Sequence, residues 1–381
     1  MSTGRGPHLA DVTMFWSATS GGVRRYLQAK RLWLQRHTDW RHTIGAPVTD
    51  SERMVRLPGV PLPFSQGYRV PLSRRTCAEA LRRLGPDIIE AGDPYRLAWS
   101  VLDAAQSLGV PSVAFCHSNL EALAARAAGP WTRRFVRSYV KKLYDRFDLV
   151  LAPSEAMRRC LLDTGVRAVE RQPLGVDTQV FHPKRQDTVW RASLALPPHA
   201  RLLVYVGRFA PEKRLDLLCQ AVARLGPPYV LLALGAGPTP PSGPRVMVRR
   251  FEHDSLRLAH VLASADAFVH AGDQETFGLA ALEAMACGLP LVARAVQGLG
   301  ELVDDSVGVG VERGDASSFA EAIDACFARD RHAIAQAARA RAERFDWHCV
   351  LPQLMGHYRG LLGRRAEQAL SPALPLSTGP A

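Results

Sequence analysis

The sequence predicts an α/β protein made of two halves of one kind, each a parallel sheet with helices on its faces, opposed across a cleft. Three observations carry this prediction. Strand-length apolar runs alternate with helix-length segments along most of the chain, the pattern of sheets whose crossovers are helices. A turn-rich stretch interrupts the alternation near the middle, from Gln172-Pro173-Leu174-Gly175 through Phe181-His182-Pro183-Lys184 and a polar run to Pro198. The first strand of each half also runs into a glycine and then a helix. Length agrees, since 381 residues at roughly 100–200 per domain give two domains.

In the first half, Val12 to Trp16 is a β-favouring run. Ser20-Gly21-Gly22 breaks it, and Val23, Tyr26, Leu27 and Leu34 then recur at helical spacing. Asp87-Ile88-Ile89-Glu90, Ser112 to Cys116 and Asp148 to Ala152 read as further strands, with helices over Leu97 to Leu108 and Trp131 to Phe147. The boundary is set so that 1–184 form the N-terminal domain and 185–347 the C-terminal one. Leu202 to Val206 reads as a buried strand, Gly207 as its turn and Arg214 to Leu225 as a helix. Tyr229 to Leu234, Arg245 to Val248, Ala267 to His270 and Leu291 to Ala293 continue the series. A helix over 348–366 is expected to pack back toward the first domain, and the Pro/Ser-rich tail 367–381 is expected to be disordered.

With 47% hydrophobic and 22% charged residues the chain is globular, not disordered or fibrous. Lys and Arg number 48 against 36 Asp and Glu, a net charge of +12. That excess points to an anionic partner: nucleic acid, an anionic membrane or a phosphate-bearing ligand. No stretch approaches the ~18 apolar residues of a membrane span, and Met1 to Asp11 has no apolar signal-peptide core. The seven cysteines are scattered with no CxxC, which argues against a disulfide framework or structural zinc and fits reduced cytosolic thiols.

The most informative stretch runs from His270 to Pro290. It leaves a strand, crosses a polar loop and opens a helix near Phe277, which Gly288-Leu289-Pro290 ends. A helix N-terminus offers free N–H groups and a positive dipole end, so the backbone around Phe277, Gly278 and Leu279 is a phosphate cradle. Glu275 precedes that helix and Glu283 lies about two turns later; such a pair means little by itself.

The surrounding residues give the pair its meaning. Glu275-Thr276-Phe277-Gly278-Leu279 and Glu283-Ala284-Met285-Ala286 resemble the E-x7-E donor motif of retaining glycosyltransferases of family four, with Thr276 where glycine is common. Val206-Gly207-Arg208-Phe209-Ala210-Pro211-Glu212-Lys213-Arg214 resembles the family's G-R-x-x-x-x-K loop. Thr19-Ser20-Gly21-Gly22-Val23 resembles its first glycine turn, Phe115-Cys116-His117-Ser118 its strand-end histidine, and Leu174 to Pro183 its interdomain hinge. Gly235-Ala236-Gly237-Pro238 falls where the family often approaches the nucleotide base.

The resemblance implies a GT-B architecture, two Rossmann-like α/β domains facing an interdomain cleft, with donor residues in the second. It implies transfer of a hexose, mannose or glucose, from a GDP- or UDP-sugar to a lipid or saccharide acceptor, with retention and with no metal or cofactor. Arg208 and Lys213 would hold the diphosphate, whose growing charge fixed cations stabilise. Glu283 would accept from the ribose hydroxyls, Glu275 would orient the sugar, His117 would lie beside it, and Gly21 and Gly22 would meet the donor from across the cleft. Glu275, His117, Arg208 and Lys213 are the catalytic candidates. The chain has no Asp-x-Asp to hold a cation, in agreement with Arg208 and Lys213 carrying the charge.

Other readings are a sugar-nucleotide epimerase of similar fold, a binding-only relative, and a nucleic-acid-binding protein suggested by the basic charge. The last lacks a recognition-helix motif, an aromatic-studded RNA-binding strand or zinc spacing, so no nucleic-acid partner is expected. The segment 131–147 sets Arg133, Arg134, Arg137, Lys141, Lys142 and Arg146 against Phe135, Tyr139, Val140, Leu143 and Phe147. It reads either as a core-facing helix or as an element touching an anionic membrane, and the expected location is cytoplasmic with peripheral contact at the inner membrane face.

Overall fold

The computed structural model describes residues 6–16, 21–51, 54–61 and 69–370. Its first part contains β1 (His8–Val12), α1 (Gly22–His37), β2 (Arg41–Ala46), β3 (Met54–Arg56), β4 (Val60–Pro61), β5 (Arg69–Val70), α2 (Arg74–Leu84), β6 (Ile88–Ala91), α3 (Arg96–Leu108), β7 (Ser112–Phe115), α4 (Leu120–Ala128), α5 (Thr132–Tyr144), β8 (Leu149–Ala152), α6 (Glu155–Asp163) and β9 (Val169–Arg171). Then come α7 (Thr188–Ser193), β10 (Arg201–Val206), α8 (Leu215–Leu225), β11 (Tyr229–Leu234), β12 (Val246–Arg249), α9 (Ser255–Ala263), β13 (Ala267–His270), α10 (Leu279–Ala286), β14 (Leu291–Arg294), α11 (Gln297–Leu302), β15 (Gly308–Val311), α12 (Ala316–Phe327), α13 (Arg331–Glu343) and α14 (Trp347–Leu370).

Two parallel sheets form the frame. Their strand orders are β3-β2-β1-β6-β7-β8-β9 and β12-β11-β10-β13-β14-β15, while β4 and β5 pair separately as a small antiparallel ribbon. The central strands are buried along their whole length because helices cover both faces, which is why they read as continuous apolar runs. Alternate residues serve opposite faces. Leu9, Phe115 and Leu151 pack toward Tyr26 and Leu34 of α1, while Ala10, Val12 and Val150 pack toward Leu81, Val101 and Leu143 of α2, α3 and α5.

In both sheets the chain begins at an inner strand, works outward one way, and returns to fill the other side. β1 therefore lies between β2 and β6, and β10 between β11 and β13. At such a reversal the loops leaving neighbouring strands part in opposite directions and open a crevice at the strands' carboxyl ends. The glycine turn follows β1, the Arg208 loop follows β10, and the Glu275 loop follows β13.

The chain crosses between the two lobes at 174–178 and again at 345–347, and the crossings are paired. Val176 N–H donates to Phe345 O at 2.9 Å, and Trp347 N–H donates to Val176 O at 3.2 Å. After the second crossing α14 lies against the first lobe: Gln172 Nε2 donates to Val350 O at 3.1 Å and Arg365 pairs with Asp148 at 3.1 Å.

Several elements differ from the expectations. The first strand ends at Val12, where the predicted one begins, because the next residues leave the ladder: Met14 N–H turns to Asp93 Oδ2 at 2.6 Å and Phe15 N–H to Thr13 Oγ1 at 2.9 Å. The helix predicted near Phe277 starts at Leu279, since Gly278 takes a left-handed φ of +98° as its cap. The last helix continues to Leu370 instead of ending at 366; the rest of the predicted tail, 371–381, lies outside the described residues, as do Thr19 and Ser20. The stripe on α5 divides: Val140, Leu143 and Tyr144 are core, while Trp131 and Phe135 are 67% and 54% exposed.

Candidate active site

The second lobe presents its predicted donor residues on two loops and one helix start. Lys213 and Glu275 form an ion pair, joining the loops that follow β10 and β13. His270, the last residue of β13, stands beside them with Nε2 3.5 Å from Glu275 Oε2. Gly272 N–H donates to His270 Nδ1 at 3.1 Å, so the ring proton sits on Nε2 and faces the carboxylate. Burial acts to raise the Glu275 pKa, but the Lys213 charge and His270 outweigh it, and the carboxyl is held well below its ordinary range. Arg208 pairs with the buried Glu212 at 3.0 Å while its side chain stays 71% exposed. The turn at 235–237 supports the Arg208 loop, with Phe209 N–H donating to Ala236 O at 2.8 Å.

Beyond Glu275 the chain rises into α10. Phe277 is buried against Phe345, with ring centroids 5.8 Å apart, so its backbone and not its ring lines the cleft. Gly298, on the first turn of α11, has no room for a side chain. Its N–H donates to Glu275 O at 2.9 Å, and a Cβ there would stand 2.5 Å from the Phe277 N and Cα atoms. This close approach sets the path of the 275–278 loop. Glu283, one turn into α10, is only 2% exposed; burial pushes its carboxyl up and a nearby arginine pulls it back.

The first lobe faces these groups with the loops after β1, β6 and β7. A Cβ on Gly22 would lie 3.5 Å from Leu279 Cδ2, which places the starts of α1 and α10 opposite one another. His117 follows β7, its ring stacked on Phe115 at 4.4 Å and beside Tyr26 at 5.3 Å. Burial first, then the Lys30 charge, pushes the imidazole pKa down to about 3, so the ring is neutral. Its Nε2 is buried without a partner among the described residues, as are Ser118 Oγ and Asp93 Oδ1. Unpartnered buried polar atoms are uncommon in proteins.

The lobes touch through polar contacts. Thr276 Oγ1 donates to His117 O at 2.9 Å, so the residue that departs from the common motif bridges the cleft. Arg25 on α1 pairs with Glu283 at 2.5 Å, and Arg126 on α4 donates to Pro211 O at 2.5 Å. Glu301 on α11 accepts from Glu155 N–H at 3.1 Å and Ala156 N–H at 2.7 Å at the start of α6.

Beneath the first-lobe loops lies a charged cluster that the sequence reading missed. Lys30, fully buried, donates to Asp11 Oδ1 at 2.8 Å, Glu90 Oε1 at 2.9 Å and the Tyr358 hydroxyl at 2.8 Å. Tyr26 OH donates to Glu90 at 3.1 Å, Tyr358 OH donates to the other Glu90 oxygen, and His42 Nε2 lies 2.5 Å from Asp11. Burial and the Asp11 charge push Glu90 up; for Asp11 the Lys30 and His42 contacts outweigh burial and hold it down. Tyr26 connects this cluster to His117. The sequence does carry a signal for it: Lys30 occupies the buried stripe of α1 between Leu27 and Leu34, where a lysine requires a buried partner.

Glu275, Lys213, Phe277, Gly278, Leu279, Glu283, Gly21, Gly22 and His117 thus converge on one cleft, with Arg208 at its edge. Arg25, His270, Thr276 and Gly298 complete it and were given no role by sequence. The family described as "Glycosyl transferases group 1" matches residues 186–341, and "Glycosyltransferase Family 4" matches 17–180. A GDP-mannose-dependent alpha-mannosyltransferase of Mycobacterium tuberculosis is 31% identical over 322 residues, 84% of this chain and 85% of that protein. A GDP-mannose-dependent alpha-(1-6)-phosphatidylinositol dimannoside mannosyltransferase of the same species is 32% identical over 309 residues, covering 77% and 78%. Among solved structures, sucrose-phosphate synthase from Thermosynechococcus elongatus superposes with a TM-score of 0.79 at 23% identity, over 94% of this chain and all of that one, which shows the fold. Two parallel sheets with their reversal points turned to one cleft, and relatives matched over most of both lengths, place the chain in glycosyltransferase family 4, as an enzyme of GT-B architecture.

Proposed function

We propose that the enzyme transfers mannose, with retention, from GDP-mannose to a lipid or glycolipid acceptor. The observation that supports this most is the Lys213–Glu275 pair seated at the β10/β13 reversal beside the start of α10, within one hydrogen bond of His117 through Thr276. The donor diphosphate lies between Lys213, Arg208 and the N–H groups at Phe277 to Leu279. These groups stabilise its charge as the bond to the anomeric carbon breaks. Glu283 accepts from the ribose hydroxyls. Glu275, kept ionised by Lys213, accepts from sugar hydroxyls and fixes the face of attack, and neutral His117 offers a ring nitrogen to the same sugar. The acceptor oxygen attacks from the side the diphosphate leaves, and a leaving phosphate oxygen takes its proton. The first lobe is the acceptor side, and the second is the donor side. Mannose and guanine are chosen because the relatives above are GDP-mannose-dependent by name.

The acceptor reading extends to the surface. Trp131 and Phe135, rings 6.0 Å apart, project beside the exposed Arg133, Arg134 and Arg137, a pairing of aromatic anchors and cations that suits an anionic lipid surface. We place this contact peripherally, at the cytoplasmic face; among the described residues no helix is long and apolar enough to cross a membrane.

The test is turnover with GDP-mannose, GDP-glucose and UDP-glucose on lipid extracts, for wild type and Glu275→Gln. GDP-mannose should be the preferred donor, and Glu275→Gln should lose about 10²–10³-fold in kcat while still binding GDP. Near wild-type kcat in that variant overturns the role of Glu275, and preference for a uridine donor overturns the choice of sugar nucleotide.

A further inference from the structure

The helix that follows the glycine turn sends one side chain deep into the other lobe. Arg25 Nη1 lies 2.5 Å from Glu283 Oε1 and 2.7 Å from Oε2, a contact between residues on α1 and α10. Both partners are largely enclosed, with side chains 18% and 3% exposed. The guanidinium also stands 5.8 Å from the centroid of the Phe251 ring, and that ring comes 3.9 Å from where a Cβ on Gly21 would be. Arg25 is thus held between the α10 carboxylate, an aromatic face and the glycine turn. If Glu283 receives the ribose hydroxyls, this corner is where a nucleoside must stand.

The pair is also incompletely made. A guanidinium on a carboxylate does best as a fork, with two nitrogens on two oxygens. Here one nitrogen reaches both oxygens, and Nη2 is buried with no partner among the described residues. An N–H left buried and unpaired costs about 1–3 kcal/mol, which offsets part of what the ion pair supplies. The contact satisfies Glu283 but not Arg25, so a ligand able to satisfy the carboxylate equally well can exchange with it.

We propose that Arg25 is a built-in competitor for the donor's ribose: in the empty enzyme its guanidinium occupies Glu283 and ties the lobes together, and the nucleotide binds by displacing it. The proposal rests on the reading of Glu283 as the ribose acceptor. Affinity for the nucleoside is lowered by the fraction of molecules in which Arg25 holds the carboxylate, the usual penalty when the binding-competent state is a minority.

The experiment measures, by calorimetry, binding of GDP, UDP and ADP and of the matching nucleosides to wild type, Arg25→Met, Arg25→Gln and Glu283→Gln. The nucleosides matter because they lack phosphate, so loss of the Arg25 charge cannot be confused with loss of a phosphate contact. For the preferred base, Arg25→Met should bind the nucleoside about tenfold more tightly than wild type, and Arg25→Gln should fall between. The gain should vanish with the 2′,3′-dideoxynucleoside. Unliganded Arg25→Met should also show a larger radius of gyration in small-angle scattering. Nucleoside affinity equal to or weaker than wild type overturns the proposal, as does an equal gain for the dideoxynucleoside. If Arg25→Met does not fold, Arg25→Gln carries the same comparison. If Glu283→Gln leaves nucleoside affinity unchanged, the ribose reading itself fails; if it weakens binding while the Arg25 variants gain nothing, only the competitor fails.

Discussion

His117 shows what a single side chain contributes. Its pKa is pushed down to about 3 by burial and then by Lys30, whereas in an unfolded chain it titrates near ~6.5. Between those values the unfolded state binds the extra proton, so this contribution to stability is complete above about pH 6.5 and is lost as pH falls toward 3. In urea unfolding between about pH 4 and 6, His117→Gln should reduce the slope of stability against pH by about 1.4 kcal/mol per unit. A slope equal to wild type would mean the ring is protonated in the folded protein. Residues of this kind differ in how far sequence reveals them. Lys213 and Glu275 sit in short motifs whose chemistry reads locally. Arg25 and Lys30 do not, because an arginine's or lysine's meaning depends on a partner: Arg25 finds Glu283 on the other lobe, and Lys30 finds Tyr358 on the last helix. From sequence, Arg24 and Arg25 look like any solvated basic pair.

Most inner strands were legible as apolar runs, but burial did not decide every case: the fully buried β1 was placed too late and β2 was not read, while the exposed edge strand β12 was. The inner strands β6, β7, β8, β10, β11 and β13 announce themselves as apolar runs, while the edge strands β3 and β9 are three residues each with only one buried side chain apiece. The short helix α11 was equally hidden, yet it shapes the site. Gly298→Ala puts a methyl group 2.5 Å from the Phe277 backbone, and no flexible side chain can yield. We expect a loss of about 1–3 kcal/mol in thermal or urea unfolding together with weakened GDP binding, because the loop carrying the phosphate-facing amides must move. Unchanged binding would show that the amide cradle is not set by α11. On α5 the core-facing reading fits Val140, Leu143 and Tyr144, while Trp131 and Phe135 stand exposed, and the proposed membrane contact would use them. Trp131→Asp with Phe135→Asp should abolish co-sedimentation with anionic vesicles at low salt while leaving the melting temperature near wild type, since neither ring is in the core. Retained binding, or no binding by wild type, would overturn the proposed contact through Trp131 and Phe135.

At the scale of the molecule, the two lobes share a buried apolar cluster through the crossings and α14, while across the cleft itself the contacts include Thr276 to His117, Arg25 to Glu283 and Arg126 to Pro211. Polar contacts at the cleft mouth part more readily than the apolar cluster at the crossings, which suits a site that must admit a nucleotide sugar and release a nucleoside diphosphate. The α14 junction is different in kind. Lys30→Met leaves Asp11 and Glu90 facing each other without their cation and should cost about 3–5 kcal/mol; Tyr358→Phe removes one hydroxyl from the network and should cost about 1–3 kcal/mol. Urea unfolding checks both, and a smaller effect for Lys30→Met than for Tyr358→Phe would mean Glu90 is carried as the neutral acid.

That junction also constrains how the protein is born. The strands and helices that bury Asp11, Lys30 and Glu90 leave the ribosome early, but the phenol that completes their network belongs to a helix translated after the entire second lobe. The nascent amino-terminal half therefore holds Asp11, Lys30 and Glu90 without the phenol that completes their network until α14 arrives, and the buried network closes only once the whole chain is made.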